Sequence, residues 1–383
     1  MKITGPVRAL GAMSGTSLDG VDAAVIVTDG KDVFGFEETA YRPYSEAERS
    51  VLRAALGQDE SGVDVSAAAE VIETAHAEIL SGFDDIDVVG FHGQTLLHRP
   101  EEKITHQAGS GDVLAEILGV PVVWDFRSAD VNLGGEGAPL APFYHWALAR
   151  HLKAREPLAF LNIGGVANLT WVDPTWESPE TEEALLALDT GPGQAPLNDL
   201  MQTRCGEAYD SGGQLAAKGQ PDAAVLDGLL ELPFVRKMPP KSLDRDDFSE
   251  LLTSVSHLSD ADAASTLTTA IAALAVSGLV HCPTPPDRLL VTGGGRHNAT
   301  LMSALSHLCA CPVSNIDTYE LDGDMIEAQA FAYLAVRVAR GWPTSSPGTT
   351  GIAAPVGGGQ ISVPDQAPQL ISNPGAASSN PSN

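Results

Sequence analysis

The chain has 383 residues, is 43% hydrophobic, and sets 22 Lys+Arg against 50 Asp+Glu for a formal net charge of −28. That length accommodates two domains, each with its own core. The absence of any Lys/Arg cluster excludes the basic face of a nucleic-acid binder and a polybasic membrane anchor, and it leaves any phosphate site to be assembled locally from backbone N–H groups, a few Arg or Lys and a metal ion.

Residues 7–10 are apolar, the segment 11–20 is rich in Gly, Ser and Thr, and residues 21–27 are apolar again. This predicts strand, small-residue turn, strand. Residues 41–56 begin with a turn and become helical, and 65–80 carry Val71, Ile72, Ala75 and Ile79 at helical spacing. A short buried strand over 88–91 runs into His92-Gly-Gln-Thr95, a helix follows over 113–118, and 121–124 forms another strand. Alternation of this kind predicts an α/β arrangement.

The Gly- and Pro-rich segment 132–142 marks an expected domain boundary and a hinge for closure. The opening pattern then repeats, with a strand over 158–163, a turn at Gly164-Gly165 and a strand over 169–172. The echo predicts two related halves, each with a phosphate-sized turn. A long helix is expected over 262–280, a strand over 289–291 running into Gly293-Gly-Gly295, and a helix over 327–340. The apolar stretch 270–280 falls short of the ~20 residues of a membrane span. Residues 1–15 lack a signal peptide's apolar run, and Cys205, Cys282, Cys309 and Cys311 are too few for a disulfide scaffold, so a soluble cytoplasmic protein is expected. The tail 364–383, rich in Pro, Ser, Asn and Gly, is expected to be disordered.

Several segments carry chemistry. In the turn 11–20 small residues allow close ligand approach, Thr16 and Ser17 offer hydroxyls, and Asp19 and Asp22 could hold Mg²⁺ through water. No Lys follows in the Walker position, and a plain hairpin turn reads as well from that segment alone. The same two readings hold for the turn between Asn162 and Asn168. Asp189 follows the apolar run 184–188 and precedes a Gly-rich loop, a place for a catalytic carboxylate or for a turn residue. Arg127 is a partner for a substrate carboxylate or for Asp125 or Asp130. Glu327 opens the last long helix, where the helix dipole favours a carboxylate in any case. His92, His98 and His106 have no metal-ligand spacing.

Taken together, Gly11-Ala-Met-Ser-Gly-Thr-Ser-Leu-Asp-Gly-Val-Asp22, His92-Gly-Gln-Thr95, Asp125-Phe-Arg127, Gly137-Ala-Pro-Leu140, Asn162-Ile-Gly-Gly165, Asp189-Thr-Gly-Pro-Gly193, Pro239-Pro-Lys-Ser242, Gly293-Gly-Gly295 and Glu327-Ala-Gln-Ala-Phe331 occur in order. Over about residues 8–363 the chain closely resembles the anhydro-N-acetylmuramic acid kinase family. The resemblance implies a two-domain, actin-like (ribonuclease H-like) α/β ATPase fold with a central interdomain cleft. Residues 1–131 with about 341–363 would form one domain and 132–340 the other. It implies ATP and Mg²⁺ as cofactors, a homodimer, and opening of 1,6-anhydro-N-acetylmuramic acid to N-acetylmuramic acid 6-phosphate in cell-wall recycling.

Carried onto this chain, Gly15, Thr16, Ser17, Leu18, Asp19, Gly20, Val21 and Asp22 would form the first phosphate loop. Asn162, Gly164 and Gly165 would form the second, and Gly293, Gly294 and Gly295 the adenosine side. Asp189 matches the catalytic base and Glu327 a sugar contact, while Gln94, Thr95 and Arg127 fall on segments lining the sugar pocket. Glu136 stands where many relatives have Gln, Gln194-Ala-Pro196 replaces Asn-Ala-Leu, and Leu243-Asp244 replaces Thr-Gly. An ordinary hexose kinase and an ATP-driven switch of the same fold are the competing readings.

Overall fold

The structure, a computed structural model, describes residues 4–15, 17–231, 233–239, 241 and 249–365. Thr16, the departures at 243–244 and all of the expected disordered tail except Pro364 and Asp365 lie outside the described residues.

Among the described residues, twelve strands form two sheets. The first contains β1 (Val7–Ser14), β2 (Gly20–Thr28), β3 (Val33–Pro43), β4 (Val88–Arg99), β5 (Ile104–Ala108), β6 (Val122–Trp124) and β12 (Gln360–Ser362). Its order is β12-β6-β4-β1-β2-β3, with β5 paired to β4. The second contains β7 (Leu158–Ile163), β8 (Val166–Val172), β9 (Leu185–Pro192), β10 (Arg288–Thr292) and β11 (Val313–Asn315), in the order β11-β10-β7-β8-β9. In both halves three consecutive strands pair antiparallel and two later ones add parallel beside the first. The expected duplication is therefore present at the level of topology, and the expected α/β fold is built on two sheets.

Period-2 alternation divides the second sheet into two faces. Ala159, Leu161, Ile163, Leu169, Leu188, Leu289 and Val291 pack in one apolar cluster on the side of the helices Asp260–Gly278 and Ala299–Leu308. Leu158, Phe160, Val172, Leu185 and Leu290 face the other way and join a core shared with the first sheet. Two helices fill that shared layer. Pro142–His151 packs against β8 and β9, and Ile326–Ala339 packs against β1, β2 and β4. They meet each other, and Tyr144 Oη donates to Gln329 Oε1 at 2.8 Å.

Two glycines allow the second of these helices to lie so close. A Cβ on Gly11 would stand 1.8 Å from Ala328 O, and one on Gly90 would stand 2.1 Å from Phe331 O. Residues 326–339, expected with the second half, are thus carried on the first sheet. The stretch 270–280 also differs from expectation. It belongs to a helical run Asp260–His281 whose 22 residues are long and apolar enough to cross a membrane by length and composition. Its most apolar window is 67% buried and packs on β9 and the helix Ala299–Leu308, which makes it a core helix. The expected hinge loop is anchored: buried Asp130 accepts from Gly137 N–H and from the hydroxyls of Ser345 and Thr350, and Glu136 N–H donates to Thr350 O.

Candidate active site

At the carboxyl end of the second sheet the cleft-facing residues change from apolar to polar. Thr292, Asn162, Asn168 and Asp189 are register neighbours across β10, β7, β8 and β9, continuing the faces begun by Leu290, Phe160, Thr170 and Ala187. Asp189 lies inside β9, three residues before its end, and not at the strand terminus expected from the sequence. A bulge follows immediately, because Asn168 pairs with Asp189 while Ala167 pairs with Gly191. Such bulges re-aim side chains beside functional sites. Asp189 N–H donates to Lys241 O at 3.0 Å. The Lys241 side chain is buried, and burial lowers its ammonium while the charge of Asp189 supports it.

Asp189, Asn162, Asn168 and Thr292 line one cavity with Arg127, Glu327, Phe331 and the loop Ala138–Leu140 of the opposite wall. Glu327 sits in the first turn of the Ile326–Ala339 helix, placed by the close approach at Gly11 and Gly90. It is open to the cleft but crowded by protein on its other sides. That crowding raises its carboxyl above the ordinary range, against the opposing charge of Arg127. Asn162 Nδ2 reaches Glu327 Oε1 at 3.5 Å. Burial pulls the Arg127 guanidinium down to about 10 although Glu327 and Asp130 support its charge. His145, stacked on Phe160 with ring centroids 4.7 Å apart, forms part of the floor, and burial lowers its imidazole to about 3.

Other expected sugar-pocket residues fall elsewhere. Gln94 is fully buried and spends its amide inside the protein: Oε1 accepts from Ser14 Oγ at 2.5 Å and Nε2 donates to Gly15 O at 3.2 Å. It braces the first turn. Thr95 is half-buried and accepts from Gln107 Nε2 at 3.4 Å, outside the cavity.

The first turn leaves β1 at Gly15 and re-enters the sheet at Gly20. Leu18 adopts φ 57°, the left-handed region that costs a branched residue strain, and is held there by its N–H to Gly15 O and by a buried side chain. Leu18 and Val21 point into the core, so only their backbone can meet a ligand, whereas Ser17 and Asp19 are exposed. Asp22, half-buried on β2, is raised to about 7 by burial and then by the carboxylates of Glu327, Asp324, Asp322 and Asp19. Asp324 in that set is already paired with Arg296, and among the described residues no three carboxylate, His or Cys side chains stand close enough to ligate a metal together, so a cation beside Asp19 and Asp22 would be held through water.

The second turn is clasped to the segment after Asp189: Gly193 N–H and Gln194 N–H donate to Gly165 O and Gly164 O at 2.9 and 2.7 Å. Gly293 completes this side. It has φ 69°, and a Cβ there would stand 2.3 Å from Asn162 Oδ1. Gly294 is exposed, while Gly295 is buried against Ile163 and serves packing. Buried Arg296 ties the two walls, donating to Gly293 O at 3.0 Å, to Asp317 at 3.0 Å and to Asp324 at 2.7 Å. The cleft therefore offers glycine-rich turns and a pocket holding two carboxylates, two amides and an arginine. These are the parts of a phosphoryl-transfer site acting on a polar organic acceptor.

A sequence profile described as anhydro-N-acetylmuramic acid kinase matches residues 7–363. Proteins named anhydro-N-acetylmuramic acid kinase from Cereibacter sphaeroides and Ruegeria sp. are 61% and 60% identical, each alignment covering 94% of this chain and 97% and 96% of theirs. Among solved structures, the activator of 2-hydroxyisocaproyl-CoA dehydratase from Clostridium difficile aligns with a TM-score of 0.45 at 12% identity, covering 87% of this chain and 96% of that one.

Proposed function

The chain belongs to the anhydro-N-acetylmuramic acid kinase family, and we propose that the cleft between its two sheets performs that family's reaction with Asp189 as base. The enzyme uses ATP to phosphorylate 1,6-anhydro-N-acetylmuramic acid, a step of cell-wall recycling. The observation that carries the residue assignment is that Asp189, Arg127 and Glu327, far apart in sequence, line one cavity together with Met13, Asn162 and Thr292 of the strands that lead into the glycine turns.

In this sugar O6 is tied to C1, so the oxygen that must accept phosphate carries no free hydroxyl. Asp189 takes a proton from a water as that water attacks C1. The C1–O6 bond breaks, its electron pair moves to O6, and O6 attacks the γ-phosphorus in line while ADP leaves. Arg127 receives the lactyl carboxylate and Glu327 orients the ring through its single free hydroxyl, at C4. The backbone of Gly15, Ser17 and Gly20 faces the nucleotide phosphates from one wall, that of Gly164 and Gly165 from the other, and Gly293 and Gly294 border the adenosine. Mg²⁺ accompanying ATP would be held through water by Asp19 and Asp22 and supplies charge neutralisation at the phosphates. The reading includes closure of the two domains, a homodimer and a cytoplasmic location.

The test is ADP release with Mg²⁺–ATP in oxygen-18 water. Turnover with the anhydro sugar alone, with label at C1 of the 6-phosphate, is expected. In Asp189→Asn that turnover should fall about 10²–10⁴-fold while nucleotide binding persists. Equal turnover of open N-acetylmuramic acid without label would make the protein an ordinary hexose kinase. Near-normal turnover of Asp189→Asn would remove Asp189 as the base.

A further inference from the structure

His92 has no part in that mechanism, yet it lies 3% exposed behind two residues that line the cavity, Arg127 and Phe331, with its ring 4.5 Å from that of Phe331. Arg127 aims two N–H groups at it: Nε and Nη2 lie 3.2 and 3.1 Å from His92 Nε2. A ring nitrogen that accepts from an arginine cannot itself carry a proton. The single proton of the imidazole is therefore on Nδ1, which donates to Gly93 O at 2.9 Å. Burial and the adjacent guanidinium both hold the ring far below its ordinary protonation range, in agreement with that geometry.

Arg127 has five N–H donors in a rigid fork. Two go to His92 and a third, on Nη1, goes to Gly137 O at 3.2 Å. One N–H on each terminal nitrogen remains, and among the described residues neither has an acceptor. A neutral acceptor at the back of the fork matters. A carboxylate there would neutralise Arg127, and a cation would repel it. Asp130, the nearby acid, already has both oxygens occupied by Gly137 N–H and the hydroxyls of Ser345 and Thr350.

We propose that His92 is a positioning residue, which by accepting two N–H groups of Arg127 fixes the guanidinium so that its remaining pair grips the lactyl carboxylate of the sugar. This rests on the reading of the substrate given above.

The experiment measures initial rates of the full-length enzyme at saturating ATP with 1,6-anhydro-N-acetylmuramic acid and with its methyl ester, which lacks the charge. The wild type should prefer the acid by about 10–100-fold in kcat/KM, the scale of a charge-assisted paired contact. In His92→Phe the KM for the acid should rise at least about 10-fold with kcat within about 3-fold and the KM for ATP unchanged, the signature of lost binding common to ground and transition states. Its preference for acid over ester should disappear, and His92→Gln, whose Oε1 can accept, should recover much of it. Nitrogen-15 NMR of the unsubstituted protein tests the same point without relying on a variant's folding. Buried His76 and His145 also stay neutral there, so the diagnostic signal is the unprotonated Nε2 that persists from about pH 5.5 to about 8.5 and moves with the acid but not with the ester. A His92→Phe enzyme that keeps the acid preference, equal losses in His92→Phe and His92→Gln, or a ring that protonates in that range would each overturn the assignment. A wild type indifferent to acid and ester would remove the carboxylate contact itself. ADP release indifferent to both sugars would overturn the kinase reading, and the inference with it.

Discussion

Asp22 shows how a single carboxylate can set a pH dependence. Its folded value is about 7 against an ordinary 3.8, so the folded state holds the proton more tightly than the unfolded chain does. Stability therefore falls as pH rises from about 4 to about 7, and above that the full penalty is present. Asp22→Asn escapes it. The variant should melt higher than the wild type at about pH 8, with the advantage shrinking to nothing near pH 4; a constant difference across that range would show that Asp22 ionises freely. At this scale the sequence revealed the groups with distinctive surroundings. Asp189 beside its glycines, Glu327 at a helix start and Arg127 after a strand all reach the cavity. Asn168, Thr292 and His145 were not legible, because they become neighbours of Asp189 only through strand register and through the stacking on Phe160. Gln94 misled for a related reason: a polar residue after a buried strand looks the same whether it turns to a ligand or, as here, to Ser14 and Gly15.

Among the elements, the helix Ile326–Ala339 is the one on which the site depends most. Its seat is fixed by backbone contact at Gly11 and Gly90, with no side chain between that could give way. Gly90→Ala should cost about 1–3 kcal/mol, as overpacking does, and lower Tm by several degrees. Because Phe331 and Glu327 ride on the displaced helix, the KM for sugar should rise as well. Gly228→Ala, in a helix where an added Cβ meets nothing within 4 Å, should leave Tm unchanged or higher. Equal melting of the two variants would mean that the helix seat is compliant. Strands β1, β4, β7 and β10 were readable because they are buried runs, although β1 and β4 run on to Ser14 and Arg99, beyond the expected ends. Strand β3 was missed because ten of its eleven residues are exposed or half-exposed, so it shows no buried run. The helix Pro142–His151 was not read from the sequence: the expected boundary ends at Pro142 and 143–151 were assigned no element. Eight of its ten residues are buried, so it has no polar side to give a helical period.

For the whole molecule, a net charge of −28 confronts a substrate that is itself an anion. Long-range repulsion should slow the approach of ATP, and salt should relieve it as the screening length falls from about 30 Å at 0.01 M to about 8 Å at 0.15 M. At fixed Mg²⁺, kcat/KM for ATP should therefore rise over that interval by a factor of about 2–10. A fall would mean that Arg127, Lys241 and Arg296 dominate the field at the mouth of the cleft. The duplicated sheets also divide the chain unevenly in time. Strands β1 to β4 are made first, yet the helix that covers their inner face and the strand β12 that extends their sheet are made last. On the ribosome those strands wait while on the order of two hundred further residues are added. At about 5–20 residues per second this is a delay of roughly 10–40 s. The second sheet, whose strands and flanking helices are nearly contiguous in the chain, can settle during that interval. The first half is born early and finished late, so the nascent protein's longest exposure to chaperones, proteases and neighbouring chains falls on the bare face against which Glu327 will later be seated.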